Sequence, residues 1–324
     1  MKKFRKLTFI LFLIPLLFLP ACSEENKTKE RDGSRFTIYT TVYPLEYFAQ
    51  RIGGKTFKVE TVYPPGVDEH HYEPSQRELI HMAEADLFFY IGYGLEGFMN
   101  KLKPILEEEG VRVFAVGEAV EITDSGQDSD EHGSDGEHGH DYTMDPHLWL
   151  DPLYSREMAH FIFEKLAQTI PEEKERFREN YEQLADELDG LHEKFQDTVN
   201  KAKTKTFIVS HAAYGYWEKR YGLEQLSIAG ISNSHEPTQK ELEHLIEKAK
   251  VLNIRYLLTE QNVKSRVVDV IQKEAGLVPL PIHNLSVLTE EDLQKGKNYF
   301  TIMEDNLETL GKALQTGESA GGER

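Results

Sequence analysis

Short apolar runs of strand length alternate with stretches whose apolar residues recur every three or four positions, and this alternation occurs twice along the chain. In the first half, strands are expected at 36–42, 57–63, 87–91 and 111–116. Helices are expected at 44–52, 75–85 and 152–170. Ser75 precedes the second helix, and Glu78 follows it three residues later, which is a capping-box spacing. In the second half, strands are expected at 206–209, 225–228, 255–258 and 278–282. Helices are expected at 214–221, 238–252, 265–275 and 297–315. Strand and helix in alternation imply parallel sheets covered by helices.

Between the halves lies one long polar helical pattern, 171–203. Phe177, Tyr181, Leu184, Leu188, Leu191 and Phe195 make a single apolar stripe on an otherwise charged rod. The fold class that follows is α/β: two Rossmann-like parallel-sheet lobes joined by one long helix. The lobes occupy 36–170 and 204–318, with 171–203 as the linking helix. An internal echo supports the division. FTIYTTVYPLEY from Phe36 and FIVSHAAYGYW from Phe207 both run from a strand through a short loop into an aromatic-rich helix. Ligands of such sheets bind beyond the carboxyl ends of the strands, and between two lobes the cleft is the default site.

The front of the chain stands apart. Lys2, Lys3, Arg5 and Lys6 precede an apolar run from Leu7 to Leu19, the layout of a secretory signal. That run of about 13 residues is short of the ~20 a spanning helix needs. It ends in Leu19-Pro20-Ala21-Cys22, which resembles a bacterial lipobox with proline as a departure. Residues 1–21 are therefore expected to be a lipoprotein signal peptide, Cys22 the lipidation site, and 22–35 a disordered polar tether. The body would sit outside the cytoplasm, anchored by membrane lipid through Cys22 at the outer face of a bacterial cell membrane.

Composition narrows the chemistry. Lys+Arg is 37 against 56 Asp+Glu, a net charge of −19, so nucleic acid is a poor partner and a cation a good one. Cys22 is the one cysteine; once lipidated it leaves neither disulfides nor thiolate metal sites, so a chelating site must use His, Asp and Glu. Of the 13 histidines, three fall in loops where the expected sheets end. His70 lies in the loop 64–74, His147 in Asp145-Pro146-His147-Leu148-Trp149-Leu150-Asp151-Pro152, and His211 directly after the strand 206–209. Three imidazoles and one further group complete a tetrahedral zinc site. Asp68, Glu73, Asp145 and Asp151 are candidate partners for the second ring nitrogens, with turn or cap chemistry the alternative for each.

These residues carry a resemblance. The motifs are Pro65-Gly66 leading to His70-x-Tyr72-Glu73-Pro74; Asp145-Pro-His-Leu-Trp-Leu-Asp-Pro152; Ser210-His211-x-Ala213-Tyr214-Gly215-Tyr216 followed by Tyr221-Gly222-Leu223; and Ile228-Ala229-Gly230 leading into Glu236-Pro237. Taken together, they resemble the metal-binding lipoproteins of ABC importers in the zinc/manganese cluster, the zinc branch (ZnuA/AdcA-like) more closely. The likeness runs from Phe36 to about Leu314. It implies a non-enzymatic receptor that binds Zn²⁺ with high affinity and passes it to an ABC permease with its ATPase. It implies His70 rather than His71 as the first ligand, with His147 and His211 as the second and third. Manganese-favouring relatives carry a carboxylate where His211 stands, which points to zinc, with manganese or iron as the alternative cargo.

The resemblance also places an acid in the loop after 278–282, and that position holds Ser286. Water or His283 is then expected as the fourth group, ahead of a nearby acid such as Glu290. The loop 124–141, DSGQDSDEHGSDGEHGHD, has seven acids, His132, His138 and His140, and no basic or apolar residue. It is expected to be exposed and disordered, and its three histidines suit auxiliary metal capture. Such a loop is characteristic of the zinc branch. A zinc hydrolase would also use three histidines and an open position, but the chain has no His-Glu-x-x-His motif. A surface adhesin is a further possibility that no motif tests.

Overall fold

In a computed structural model of the chain, the described residues are 35–122, 144–231, 237–261 and 265–315. The leader 1–21, Cys22, the loop 124–141 with its three histidines, and Glu236 lie outside them.

The first lobe runs β1 (Phe36–Thr40), α1 (Tyr43–Gly53), β2 (Phe57–Thr61), α2 (Gln76–Ala83), β3 (Leu87–Tyr90), α3 (Met99–Glu108), β4 (Arg112–Ala115). Its strands pair in parallel in the order β2-β1-β3-β4. β3 is buried at every position, LFFY, as expected for a strand covered by helices on both faces. Ser75 and Glu78 form the reciprocal capping box that opens α2. The helix α3 was not evident in the pattern: only Met99, Leu102 and Leu106 are buried, and Pro104 interrupts the sequence signal.

Two long helices follow, α4 (Pro152–Thr169) and α5 (Lys174–Asn200). α5 begins later than the rod 171–203 because Pro171–Glu173 forms a separate 3₁₀ turn. Its 27 residues span about 40 Å. The stripe Phe177, Leu184, Leu188, Leu191, Phe195 is buried, extended by Val199, and α5 packs on α1 and α4 in one lobe and on helices of the other.

The second lobe runs β5 (Thr206–His211), α6 (Gly215–Tyr221), β6 (Glu224–Ala229), α7 (Gln239–Val251), β7 (Tyr256–Glu260), α8 (Arg266–Ala275), β8 (Val278–Ile282), α9 (Glu290–Gln294) and α10 (Tyr299–Ala313). Its parallel order, β6-β5-β7-β8, repeats that of the first lobe. β8 is the edge strand, where Pro279 and Pro281 can be tolerated because half of the backbone N–H groups face away from the sheet. One continuous apolar core, from Ile38 to Leu314, joins both sheets through α5; a smaller cluster around Ile208, Leu257 and Ile271 lies under α7 and α8. Among the described residues no helix is long and apolar enough to cross a membrane.

Candidate metal centre

The motif 145–152 staples the lobes together. The Trp149 indole N–H donates to the carbonyl of Asn284 (2.6 Å). The Trp149 carbonyl accepts from Tyr299 (2.8 Å) and Ser155 (2.9 Å), and the Leu150 carbonyl accepts from the Trp217 indole (2.7 Å). Asp151 caps α4 by accepting from the N–H groups of Leu153 and Tyr154, and also pairs with Arg220. The Tyr216 hydroxyl donates to the Asp145 carbonyl (2.6 Å). Gly215 lets this happen: a Cβ there would stand 2.8 Å from the Asp145 carboxylate.

These contacts hold His147 fully buried at the lobe junction. His147 is not at a strand end, contrary to the sequence expectation; it precedes the 3₁₀ turn Leu148–Leu150 that leads into α4. His211 is the last residue of β5 rather than a loop residue, paired in register with Ala229. His70 lies in the loop beyond β2, where Asp68 accepts its backbone N–H (3.0 Å) and Gly66 donates to the Leu288 carbonyl of the other lobe (3.1 Å). His71 is exposed and turns to Asp68 (3.1 Å).

The three imidazoles meet. His147 is 5.5 Å from His70 and 4.9 Å from His211 between ring centroids, and His70 is 5.3 Å from His211. One ring nitrogen from each lies within 4.8 Å of the other two. The Nε2 atoms of His70 and His147 are buried and have no hydrogen-bond partner within the protein. A buried polar atom without a partner costs about 1–3 kcal/mol, so such atoms mark a ligand position.

Carboxylates orient the rings from behind. Asp145 bonds His147 Nδ1 at 2.7 Å, as its spacing suggested. Asp68, Glu73 and Asp151 are not ring partners of the three; Asp68 and Asp151 do turn and cap work. The partner of His211 is Glu260, at the end of β7, whose Oε1 is 3.1 Å from Nδ1. Glu260 was missed because nothing local marks it; the available signal was its place at the end of the strand next to β5. The strands β5 and β7 flank the point where the sheet order reverses, which is where such sheets place ligands. Glu69 was missed as well. It is buried, and its Oε1 stands 3.9 Å from His70 Nε2.

The other candidates do not join the group. His283 is buried, but its Nδ1 accepts from the Leu285 N–H (2.8 Å) and its Nε2 faces Asp292 (3.2 Å). Its ring nitrogens are thus turned away from the three imidazoles, one to its own loop and one to Asp292 of α9. Ser286 turns its hydroxyl to Asn284 (2.8 Å), and Glu290 is an exposed residue opening α9.

Titration follows from these contacts. Burial, with His147 and His211 close by, pushes His70 down to about 3, so it is neutral and ready to bind metal. Burial also opposes charge on His211, but Glu260 and the Ile231 carbonyl, 2.7 Å from Nε2, outweigh it and raise the group to about 9. Without metal, His211 therefore adds stability below pH 6.5 that is lost as pH rises through about 9. His70 has the opposite sign, withdrawing stability as pH falls from 6.5 toward 3. A metal entering near neutral pH must displace the His211 proton. Zinc titrated at about pH 7.5 in buffers of different ionisation heat is expected to release about one proton, with affinity rising about tenfold per pH unit up to about 9. Binding with no proton release at that pH would contradict the His211 assignment.

Two matched α/β lobes on a helical spine, with imidazoles from both meeting at the junction, define a two-lobed protein of the solute-binding type. The chain belongs to the family of ZnuA, the periplasmic zinc-uptake complex component A, whose model matches residues 38–313. The zinc-binding lipoprotein AdcA of Streptococcus pneumoniae is 32% identical over 306 residues, 94% of this chain and 60% of that protein. The chain thus spans about three-fifths of the length of that relative. The high-affinity zinc uptake system protein ZnuA of Bacillus subtilis is 29% identical over 308 residues, 94% of this chain and 97% of that one. The Zn(II)-bound ZnuA-like domain of S. pneumoniae AdcA matches with a TM-score of 0.72 at 30% identity, covering 87% of this chain and 100% of that structure.

Proposed function

We propose that this protein is the extracytoplasmic receptor of a zinc importer: it captures Zn²⁺ between its lobes and delivers it to an ABC permease driven by its ATPase. The observation that carries this is the convergence of His70, His147 and His211 with two buried Nε2 atoms lacking hydrogen bonds. Imidazole nitrogens at this spacing suit zinc, whereas manganese prefers oxygen donors. Glu69 supplies the fourth donor, since its carboxylate stands 3.9 Å from the open Nε2 of His70. The carboxylates have structural work in a receptor: Asp145 and Glu260 hold imidazoles, and Glu69 is held by the Asn284 amide. The membrane anchor at Cys22 and auxiliary capture by His132, His138 and His140 belong to the same reading.

Titration of metal-free protein with Zn²⁺ tests it. One tight site per chain is expected, with Zn²⁺ bound in preference to Mn²⁺. Binding no tighter than micromolar, or preference for Mn²⁺, would remove the assignment.

A further inference from the structure

Ser286 occupies the loop position where an acid was expected, and the structure shows another group at work there. The neighbouring Asn284 is specified on every side. Its Oδ1 accepts from the Ser286 N–H (3.1 Å) and the Ser286 hydroxyl (2.8 Å). A backbone N–H can only donate, so the atom it meets is the amide oxygen, and the amide nitrogen must face the other way. That nitrogen donates to Glu69 Oε1 and to Glu260 Oε2, each at 3.1 Å. The Asn284 carbonyl is itself clamped by Trp149. The loop is over-determined: Leu285 is buried at φ +60°, His283 bonds the Leu285 N–H, and Asn306 bonds the His283 backbone in both directions.

Glu69 comes from the first lobe and Glu260 from the second. Both are buried, and like charges brought together at the lobe junction repel. A neutral amide with two donors can hold both without adding a third negative charge. Resting on the zinc reading above, we propose that Asn284 is the positioning residue of the metal site, bridging Glu69 and Glu260 so that one carboxylate is presented beside His70 and the other orients His211. A neutral brace thereby does the organising work at this corner of the site. The loop itself contributes no ligand.

The test uses the full protein and Co²⁺ as a visible stand-in for Zn²⁺, because the intensity of cobalt d–d bands reports coordination number. Asn284→Leu removes both donors at similar volume. It is expected to lower zinc affinity about 10–100-fold, the range for loss of a group that supports ligands, and to alter the cobalt spectrum. Adding Glu69→Gln should then cost less than Glu69→Gln does alone, since part of the Asn284 effect runs through that carboxylate. An unchanged affinity and spectrum in Asn284→Leu, or fully additive losses in the double variant, would overturn the proposal. If Asn284→Leu does not fold, Ser286→Ala loosens the same amide; it should shift the cobalt spectrum in proportion to a smaller affinity loss, and an unchanged spectrum overturns the proposal equally. Failure of the unsubstituted protein to bind zinc would instead count against the reading of the site itself.

Discussion

Replacing His147 with alanine is expected to lower zinc affinity by two to three orders of magnitude while leaving the metal-free fold intact. Structural zinc binding is worth about 10–16 kcal/mol in small peptides, so one of four ligands accounts for roughly 3–4 kcal/mol. His147 is the natural target because its ring is fully buried and close to both of the other imidazoles. Its Nε2 makes no hydrogen bond, so truncation removes an unsatisfied atom as well as packing against Trp149. Those effects oppose each other, and the metal-free protein should lose no more than about 1–2 kcal/mol. Chelator-competition titration and denaturant unfolding of the metal-free form check the two halves separately. His71→Ala is the control: His71 follows His70 directly but is exposed and paired with Asp68, so affinity should stay within about twofold, as for an ordinary surface change. Affinity within tenfold of the parent in His147→Ala would mean that this imidazole is not a ligand.

Metal removal should have the second large effect. The proposed ligands come from both lobes, and one apolar core runs through both sheets and α5, so the body should unfold as a unit. Zinc at a thousand times its dissociation constant stabilises by about 4 kcal/mol. At about 2–4 °C per kcal/mol for a body of this size, the midpoint should rise on the order of 10 °C and return with a chelator. Differential scanning calorimetry reads this directly. Two transitions, only one of which moves with zinc, would show that the lobes unfold independently and that the metal does not bridge them. The cross-lobe bonds of Trp149, Tyr299 and Trp217 point the same way. They also restrict rigid-body opening as a route of release.

Much of the architecture was legible because it is written in short windows. The period of the apolar residues separated strands from helices, and the stripe from Phe177 to Phe195 marked the spine before its partners were known. The Ser75 capping box needed only four residues to be read, and it forms. α3 escaped because its apolar stripe is thin and holds a proline, and α9 because five residues are too few to show a period.

The site divides along the same line. By itself the sequence determined that the chain has three well-placed histidines, a single cysteine at position 22, and Ser286 where an acid was expected. Asp145 could be named as a ring partner because it lies two residues from His147. The tertiary structure alone decided the rest: that Glu260 backs His211, that the buried Glu69 carboxylate lies 3.9 Å from His70 Nε2, that His283 is tied to Leu285 and Asp292, and that Asn284 joins the two glutamates. Glu69 and Asn284 are separated by 215 positions, and their hydrogen bond depends on how two sheets are ordered and docked. Local preference acts over a few residues, whereas that docking is set by burial of the whole core, so no window of sequence contains it.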